Sequence, residues 1–381
     1  MIGVGLSALA LAIWLYLLYG RGGFWRLTTL PAAPAPGRWP EIVAVVPARD
    51  EAVGVGECIA SLLDPSTYPG RLDLVLVDDH SSDGTAEVAR RAAALLGRAE
   101  RLTVLTGKPL PAGWTGKLWA VQQGLDHARE TAPGATFVLL TDADIAHDGA
   151  ELRKLVAHAA AGDLQLASLM VRLHCRTWPE RMLIPAFVFF FGMLYPFGWA
   201  NRPRHPMAAA AGGCMLARRT ALEQVGGVSQ IRDALIDDCA LAAKLKPLGP
   251  IWLGHAEATR SLRVYGRFRE IWAMIARTAY TQLRHSPLLL LGTVLGMLLT
   301  YAVPPVYSVA PGPGTPVAAL AWLAMGIAFQ PLLLHYGRSP FWGFALPLIA
   351  LFYLAATIGS AVDHWRGRGG RWKGRAQAAK A

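Results

Sequence analysis

Two clusters of carboxylates follow runs of aliphatic residues, and their spacing could hold a metal ion and a diphosphate. Asp78 and Asp79 end the run Leu74–Val77, and Asp142 and Asp144 end a second run about sixty positions later. Such runs predict buried parallel strands, so both clusters should lie at the carboxyl edge of one sheet, where open α/β sheets bind ligands. Carboxylates one residue apart can chelate a hard divalent cation, which in turn can hold a diphosphate. The pattern therefore predicts a nucleotide-sugar site.

Each cluster taken alone is also typical of ordinary structure. Asp78 and Asp79 could belong to a strand-end turn, with a helix cap at Ser82 or Asp83. The combination is more specific, because the clusters occur in order behind two apolar runs and a third acid pair, Asp237-Asp238, follows them.

In this order the motifs resemble those of the family 2 glycosyltransferases, which are inverting enzymes with the GT-A fold. The segment Ile42–Glu51 matches the first motif of that family, and Gly116-Lys117 matches its Gly-Lys step. The segment Gly212–Gly227 resembles the acceptor-side strand and helix. The resemblance covers roughly residues 40–260 and implies a Rossmann-like, mostly parallel sheet within an α/β domain, which we place at 41–258.

The resemblance implies a role for each acid cluster. Asp142 and Asp144 would hold Mg²⁺ or Mn²⁺ across the donor phosphates, with Lys117 as a further cation. Asp237 and Asp238 remain for deprotonating the acceptor, and Asp238 is the better candidate base by its match to the acidic pair of the family. Two adjacent carboxylates also tend to raise the pKa of one of them, which helps a base. A helix cap at this pair is the structural alternative, and both roles can hold at once.

Further donor-binding candidates lie around the first two strand ends. Carboxylates there can accept hydrogen bonds from the uracil N3–H or from ribose hydroxyls, and an arginine there would brace the loop. These candidates are Pro47, Arg49, Asp50, Glu51, Asp78 and Asp79. The nearby Gly54-Val55-Gly56 lacks the third glycine and the following acid of a dinucleotide fingerprint, which argues against that type of site.

The stretch between the motifs alternates as α/β folds do. Strands are predicted at 42–46, 73–77, 102–105 and 136–140, and helices around 53–63, 83–96 and 117–129.

The 53% of hydrophobic residues exceeds what an ordinary soluble enzyme carries, and the excess lies at the two ends of the chain. Residues 2–19 are uncharged, and basic residues follow them but do not precede them. This predicts a membrane anchor at 1–20, a stiff linker at 21–40 and a cytosolic domain after it. A C-terminal membrane region, 287–363, contains three segments long enough to span a bilayer core. These segments are Leu288–Val309, Pro316–Tyr336 and Phe341–Val362.

The final segment, 364–381, contains six basic residues and no acid, so it should remain cytosolic. Three crossings after a cytosolic domain would place it outside. We therefore expect one C-terminal segment to be re-entrant or broken, with Pro304-Pro305 and Pro347 as candidate breaks.

Two internal segments are expected on the membrane surface. A single crossing by Met182–Trp199 would separate Asp144 from Asp238, so we expect an interfacial helix with its aromatic face in the lipid boundary. A buried core helix is the alternative. The segment 259–286 is rich in arginine and aromatic residues and predicts a basic amphipathic interface segment.

The segments Val46–Glu51, Gly113–Ala120 and Ala276–Pro287 resemble the hopanoid-biosynthesis-associated (hopene-associated) glycosyltransferases of bacteria. That implies a multi-pass protein of the bacterial inner membrane, a lipid acceptor and no nucleic-acid partner. Arg277 is followed by Thr278, with no tryptophan after it, whereas many membrane-bound relatives have Arg-Trp in this region, and this argues against processive polysaccharide synthesis. Four scattered cysteines predict reduced thiols and no zinc site.

Alternatives remain open. One is a ceramide-glucosyltransferase-like or polysaccharide-synthesising enzyme, and another is a catalytically inactive membrane protein that binds sugar nucleotides. A small transporter is disfavoured, because ionisable residues are nearly absent from the apolar segments.

Overall fold

The computed structural model describes residues 1–367, 371–372 and 375–376. Within these residues the chain forms two compact units. A sheet unit contains residues 28–173 and 199–263, and a helical unit contains residues 1–27, 174–198 and 264–367. The chain therefore leaves the sheet unit and returns to it before leaving it again after Arg263.

Strands and helices alternate through the middle of the chain, whereas helices predominate towards both ends. The strands are β1 (Ile42–Ala48), β2 (Leu72–Asp78), β3 (Leu102–Thr106), β4 (Phe137–Thr141), β5 (Ile145–Ala146), β6 (Leu166–Arg172), β7 (Cys214–Arg218), β8 (Ile251–Ser261), β9 (Arg371–Trp372) and β10 (Arg375–Ala376). The helices are α1 (Ile2–Tyr19), α2 (Val55–Leu63), α3 (Thr85–Leu95), α4 (Gly116–Thr131), α5 (Gly149–Ala161), α6 (Trp178–Leu194), α7 (Phe197–Ala200), α8 (Arg219–Gln224), α9 (Asp237–Leu245), α10 (Phe268–Ala276), α11 (Ala279–Gln282), α12 (Pro287–Met297), α13 (Val303–Val309), α14 (Thr315–His335) and α15 (Leu346–Trp365).

The sheet unit confirms the predicted α/β architecture. Its sheet has the order β3-β2-β1-β4-β7-β6-β8-β5. β1 is parallel to β2 and β4, and β2 is parallel to β3, whereas β7 is antiparallel to β4 and β6. The carboxyl ends of β1, β2 and β4 therefore meet at one edge, which brings the acid clusters that follow β2 and β4 to the same side of the sheet.

The unbroken aliphatic run of β1 follows from burial on both faces of the sheet. Ile42, Ala44 and Val46 belong to one hydrophobic cluster, and Val43 and Val45 belong to the other. Successive strand residues point to opposite faces, so a sheet covered on both sides needs apolar residues at every position.

The helical unit contains five helices that are long and apolar enough to cross a membrane, counted among the described residues. They are Ile2–Tyr19, Trp178–Ala200, Pro287–Val309, Thr315–His335 and Pro340–Trp365. Four of them coincide with the predicted N-terminal anchor and the three predicted C-terminal segments.

The third of these helices changes its hydrogen bonding at the predicted break. A π-helical stretch, Leu298–Ala302, joins α12 to α13 directly before Pro304. Proline has no N–H, so Pro304 cannot donate to the carbonyl of Thr300. The indole Nε1 of Trp14 in α1 donates to that carbonyl instead, at 2.9 Å. A neighbouring helix thus supplies the hydrogen bond that the carbonyl of Thr300 would otherwise lack, as an apolar environment requires.

Part of the aromatic surface of the segment 182–199 faces other helices of the helical unit. Its helix α6 begins at Trp178, four residues earlier, and packs against α10, α14 and α15. Phe189 has no exposed surface and makes edge contacts with Phe24 and Phe329. Phe189 is therefore a core residue of the helical unit, and the interfacial position of the segment stays a prediction.

Two other predicted boundaries differ from the structure. The basic segment 259–286 begins inside β8, which continues to Ser261 because it pairs with β5 and β6 there. Helical structure starts only at Phe268. Most of the basic tail, 368–370, 373–374 and 377–381, lies outside the described residues.

Candidate active site

Lys117 lies between two of the predicted acid clusters. The hydroxyl of Thr115 caps α4 by accepting from the backbone N–H of Leu118, which fixes Lys117 in the first turn. Its Nζ is 3.0 Å from Asp142 Oδ1 and 3.1 Å from Asp237 Oδ2. Desolvation alone would lower the pKa of Lys117, but these carboxylates outweigh it and raise the pKa above its ordinary value. The ammonium group therefore remains charged.

Asp238 carries a carboxyl group that is poised to exchange a proton. Its Oδ2 accepts from the backbone N–H of Gly212 at 3.0 Å, and its Oδ1 accepts from that of Cys239 at 2.7 Å. Burial, followed by the charge of Asp237, raises the pKa of Asp238 to about 6. Helix α9 begins at Asp237 with Ile236 at the N-cap, so the pair lies inside the first turn and does not cap the helix as the alternative interpretation expected.

Gly212 shows that Lys117 and Asp238 belong to one site. A Cβ added to Gly212 would lie 3.5 Å from Lys117 Nζ and 3.6 Å from Asp238 Oδ2. A single backbone segment thus runs beside both the cation and the candidate base.

A second cation, Arg263, holds two more of the predicted carboxylates. Its Nε donates to Asp144 Oδ2 at 2.7 Å, and its Nη2 donates to Glu51 Oε1 at 2.7 Å. Arg263 lies in the predicted basic interface segment, and this contact was not predicted. The pattern of arginines could not identify it, because the partners lie 119 and 212 positions away in the sequence.

The loops after β1 and β2 are joined by hydrogen bonds. The backbone N–H of Asp50 donates to Ser81 Oγ at 2.9 Å, and Asp50 Oδ1 accepts from the backbone N–H of Ser82 at 2.8 Å. Asp50 and His80 both have positive φ, at 50° and 55°. Left-handed backbone is uncommon outside glycine and is often found at functional sites.

The structure separates the roles of Asp78 and Asp79. Asp78 Oδ1 accepts from the backbone N–H of Ser81 at 2.9 Å and supports the turn. Asp79 is only 2% exposed, and its Oδ2 is 3.6 Å from Arg49 Nη1, which also donates to the Asp79 carbonyl. Arg49 thus braces the loop as expected. Asp79 belongs to that brace, and its expected contact with the donor stays a prediction.

His147 and Thr141 form a buried support that the sequence analysis did not single out. Thr141 Oγ1 donates to the carbonyl of Gly213 at 2.7 Å and lies 2.9 Å from His147 Nε2. Burial lowers the pKa of His147 to about 4, so the ring is neutral. These hydrogen bonds connect Thr141, which precedes Asp142, with Gly213, which follows Gly212.

A small pocket of about 20 Å³ lies beside Lys117. Pro47, Asp142, Gly212 and Asp237 line it together with aliphatic side chains. Pro47, a predicted donor-side residue, therefore lies at the same place as the charged groups.

The acid clusters do not form a complete metal cage. Among the described residues, no group of three or more His, Cys, Asp or Glu side chains is arranged to hold a metal ion. Asp142 and Asp144 nevertheless offer carboxylate oxygens one residue apart, and Mg²⁺ is commonly held by one or two carboxylates plus substrate phosphates. These residues fit a divalent cation that is shared with a bound diphosphate.

Residues 43–226 match Glycosyl transferase family 2. None of the curated proteins matches the chain in sequence.

The chain resembles several solved structures. The mannosyltransferase PcManGT from Pyrobaculum calidifontis, in complex with GDP-Man and Mn²⁺, shares 21% identity, with 96% of this chain and 99% of that chain covered and a TM-score of 0.57. TarS from S. aureus, in complex with UDP-GlcNAc, shares 13% identity, with 89% and 97% covered and a TM-score of 0.41. Glucosyl-3-phosphoglycerate synthase from Mycobacterium tuberculosis shares 18% identity, with 64% and 79% covered and a TM-score of 0.41. The first match shows a common fold over nearly the whole chain, including the apolar helices, and the predicted GT-A fold is confirmed.

Proposed function

We propose that this enzyme, whose residues 43–226 match Glycosyl transferase family 2, transfers a sugar from a nucleotide-diphosphate donor to a lipid with inversion. The observation that carries the proposal is the row of groups around Gly212. Lys117 lies between Asp142 and Asp237, and the half-buried Asp238 lies close by. Lys117 thus offers positive charge to a leaving diphosphate, and Asp238 offers a base to an attacking hydroxyl.

The donor side stabilises the departing diphosphate. Lys117 supplies a charged ammonium group at the start of α4, and Asp142 and Asp144 would hold Mn²⁺ or Mg²⁺. When bound, that cation neutralises negative charge on the leaving group. The solved complex of PcManGT with GDP-Man and Mn²⁺ supports this assignment. The joined loops that contain Asp50, Glu51 and Asp78 would receive the nucleoside.

Asp238 acts on the acceptor. Its carboxylate takes the proton from the acceptor hydroxyl as the oxygen forms a bond to the anomeric carbon and the bond from that carbon to the phosphate oxygen breaks. The nucleoside diphosphate leaves with the bonding electrons, and the anomeric configuration inverts. The backbone N–H groups of Gly212 and Cys239 hold the two carboxylate oxygens in place.

The proposed acceptor is a membrane lipid, and hopanoids are the class that the sequence resemblance indicates. Among the described residues, five helices are long and apolar enough to cross a membrane, which supports a multi-pass protein. The bacterial inner membrane is the location that the sequence resemblance implies. Strands β6 and β7 flank α6 in sequence and pair in one sheet, with Ala167 opposite Leu216. This pairing supports a segment at α6 that makes no net crossing, so that the whole catalytic domain lies in the cytosol.

Transfer is tested with membranes that contain the protein, labelled UDP- and GDP-sugars and a bacterial lipid extract. We expect label in the organic phase, a requirement for Mn²⁺ or Mg²⁺, and at least about a hundredfold slower transfer by Asp144→Asn. Asp163→Asn is the matched control, because Asp163 is 83% exposed and asparagine tolerates its left-handed backbone. Full transfer in excess EDTA would contradict the metal assignment, and label confined to water-soluble products would contradict the lipid acceptor.

The topology is tested with single cysteines that replace Arg181 and Arg202 in a cysteine-free background. Both positions are exposed and lie on either side of the apolar segment. We expect neither cysteine to react with a membrane-impermeant thiol reagent applied from outside the cell, and both to react after permeabilisation. Labelling of one position alone from outside would show a true crossing.

A further inference from the structure

Arg263 joins two loops of the donor side through one planar group. Nε and Nη2 lie on the same edge of a guanidinium, and here they donate to carboxylates from different loops, Asp144 after β4 and Glu51 after β1. Both acceptors are mostly buried, with side chains 13% and 17% exposed. Two charge-assisted hydrogen bonds from one planar group fix the direction of each carboxylate as well as its distance from the guanidinium.

Strand pairing, rather than a flexible side chain, sets the position of Arg263. Ile145 is opposite Ser261 and Ala146 is opposite Arg260 in the β5–β8 pair. One residue further along, the backbone N–H of Leu262 donates to the carbonyl of Asp144 at 2.7 Å. The register of β8 therefore delivers the next residue, Arg263, to the carboxylate of Asp144.

The salt bridge leaves Asp144 able to bind a cation. Arg263 contacts Oδ2, and a carboxylate has a second oxygen to offer. Without the fork, Glu51 and Asp144 would remain close as two like charges, and the Asp144 side chain would turn away from its present direction. Groups that hydrogen-bond to a metal ligand commonly orient it for the metal.

We propose that Arg263 is a positioning residue that holds Asp144 in the direction needed to bind the divalent cation of the donor complex. This inference rests on the proposed function. It assigns Arg263 to the donor site instead of the membrane surface. It also means that the last residue of the sheet unit, directly before the chain enters the helical unit at Val264, helps to build the metal site.

Mn²⁺ binding to the purified full-length protein with UDP or GDP, followed by electron paramagnetic resonance, tests the proposal. We expect Arg263→Gln to weaken Mn²⁺ binding by about tenfold to a hundredfold. Arg263→Lys keeps the charge but lacks the planar fork, so it should remain weaker than the unaltered protein by about fivefold or more. Arg260→Gln is the matched control, because Arg260 lies three residues earlier, in β8, and its salt bridge to Glu57 is exposed.

A second measurement separates positioning from collapse of the site. Nucleotide affinity in EDTA should be the same for Arg263→Gln and the unaltered protein, whereas general disruption would lower it. Equal or tighter Mn²⁺ binding by Arg263→Gln, full rescue by lysine, or a parallel loss of metal-free nucleotide affinity would each overturn the proposal. Absence of Mn²⁺ binding by the unaltered protein would instead contradict the proposed function.

Discussion

Asp238 in the sheet unit and Glu180 in the helical unit are both largely enclosed carboxylates in the first turn of a helix, yet their surroundings differ. Glu180 has no exposed surface, and its Oε2 accepts from the backbone of Arg176 and Thr177 and lies 2.7 Å from His174 Nδ1. Its Oε1 accepts from the backbone N–H of Tyr265 at 2.6 Å. Asp238 has two backbone donors and an acidic neighbour, Asp237.

The difference separates a structural carboxylate from a reactive one. Glu180 is surrounded by donors from the residues before α6 and from the segment before α10, and it joins these two parts of the helical unit. Proton transfer there would break several hydrogen bonds at once. Asp238 is held by fewer donors and lies beside another negative charge, so its negative charge is less well stabilised than that of an ordinary aspartate. A carboxylate that acts as a general base near neutral pH needs a pKa raised in this way.

The largest expected difference between the two carboxylates is in turnover. Asp238→Asn should leave nucleotide affinity intact and reduce transfer by about two to four orders of magnitude, because it removes the base. Glu180→Gln should change transfer per folded molecule by less than about threefold, since its donors belong to the helical unit.

The variant Asp237→Asn tests whether Asp238, and not Asp237, is the base. Asp237 pairs with Lys117, so its loss should act on donor binding more than on the proton-transfer step. A larger fall in turnover for Asp237→Asn than for Asp238→Asn would move the base one residue upstream.

The next largest expected effect is on the free energy of unfolding, which should depend more on Glu180 than on Asp238. Glu180→Gln replaces one acceptor oxygen by an NH₂ group, which faces donors, and we expect a loss of about 3 kcal/mol or more in the free energy of unfolding. Glu270→Gln is the matched control. Glu270 occupies the same capping-box position in α10 but is exposed, so the expected loss is below about 1 kcal/mol. Thermal unfolding in detergent measures both, and equal shifts would show that the enclosed donors contribute nothing extra.

The contrast between these carboxylates could not be obtained from the sequence, although much of the fold could. The aliphatic runs predicted β1, β2 and β4 to within two residues. Burial on both faces of the sheet requires an uninterrupted run of apolar residues, which is easily recognised in a sequence. The order of acid clusters predicted Asp142 and Asp238 as parts of one site edge, and the structure brings both beside Lys117 and Gly212.

Contacts between distant residues carry no such signal. Arg263 lies in an arginine-rich stretch, and only the register of β8 against β5 brings it to Asp144. Composition alone cannot distinguish lipid from neighbouring helices as the surroundings of the aromatic residues of α6, and the contacts of Phe189 with Phe24 and Phe329 were not predicted. His147 is a single histidine without a motif, and its role depends on the position of Thr141.

A moderate effect is expected in the pH dependence of transfer. Burial and Asp237 raise the pKa of Asp238 to about 6, so the base is protonated below that pH and charged above it. We expect kcat/KM to fall about tenfold per pH unit below pH 6 and to level off above it, provided that metal binding is kept saturated. The fall should be absent from the residual activity of Asp238→Asn. A flat profile down to pH 5 would show that Asp238 is not the proton acceptor.

The smallest expected effect is a stability change of opposite sign to that of Glu180→Gln. Because the pKa of Asp238 is raised in the folded protein, the folded state binds the proton more tightly than the unfolded chain. Stability is therefore lost as pH rises from about 4 to about 6, and it stays lower above that range. Asparagine resembles the protonated form, so Asp238→Asn should raise the unfolding temperature at pH 7, by an amount that corresponds to about 1–2 kcal/mol, and the gain should shrink at pH 5. The amide oxygen can still accept from Gly212, which limits the loss of hydrogen bonding. A lower unfolding temperature for Asp238→Asn at pH 7 would mean that this carboxylate, like Glu180, is a structural acceptor, and the comparison between the two would fail.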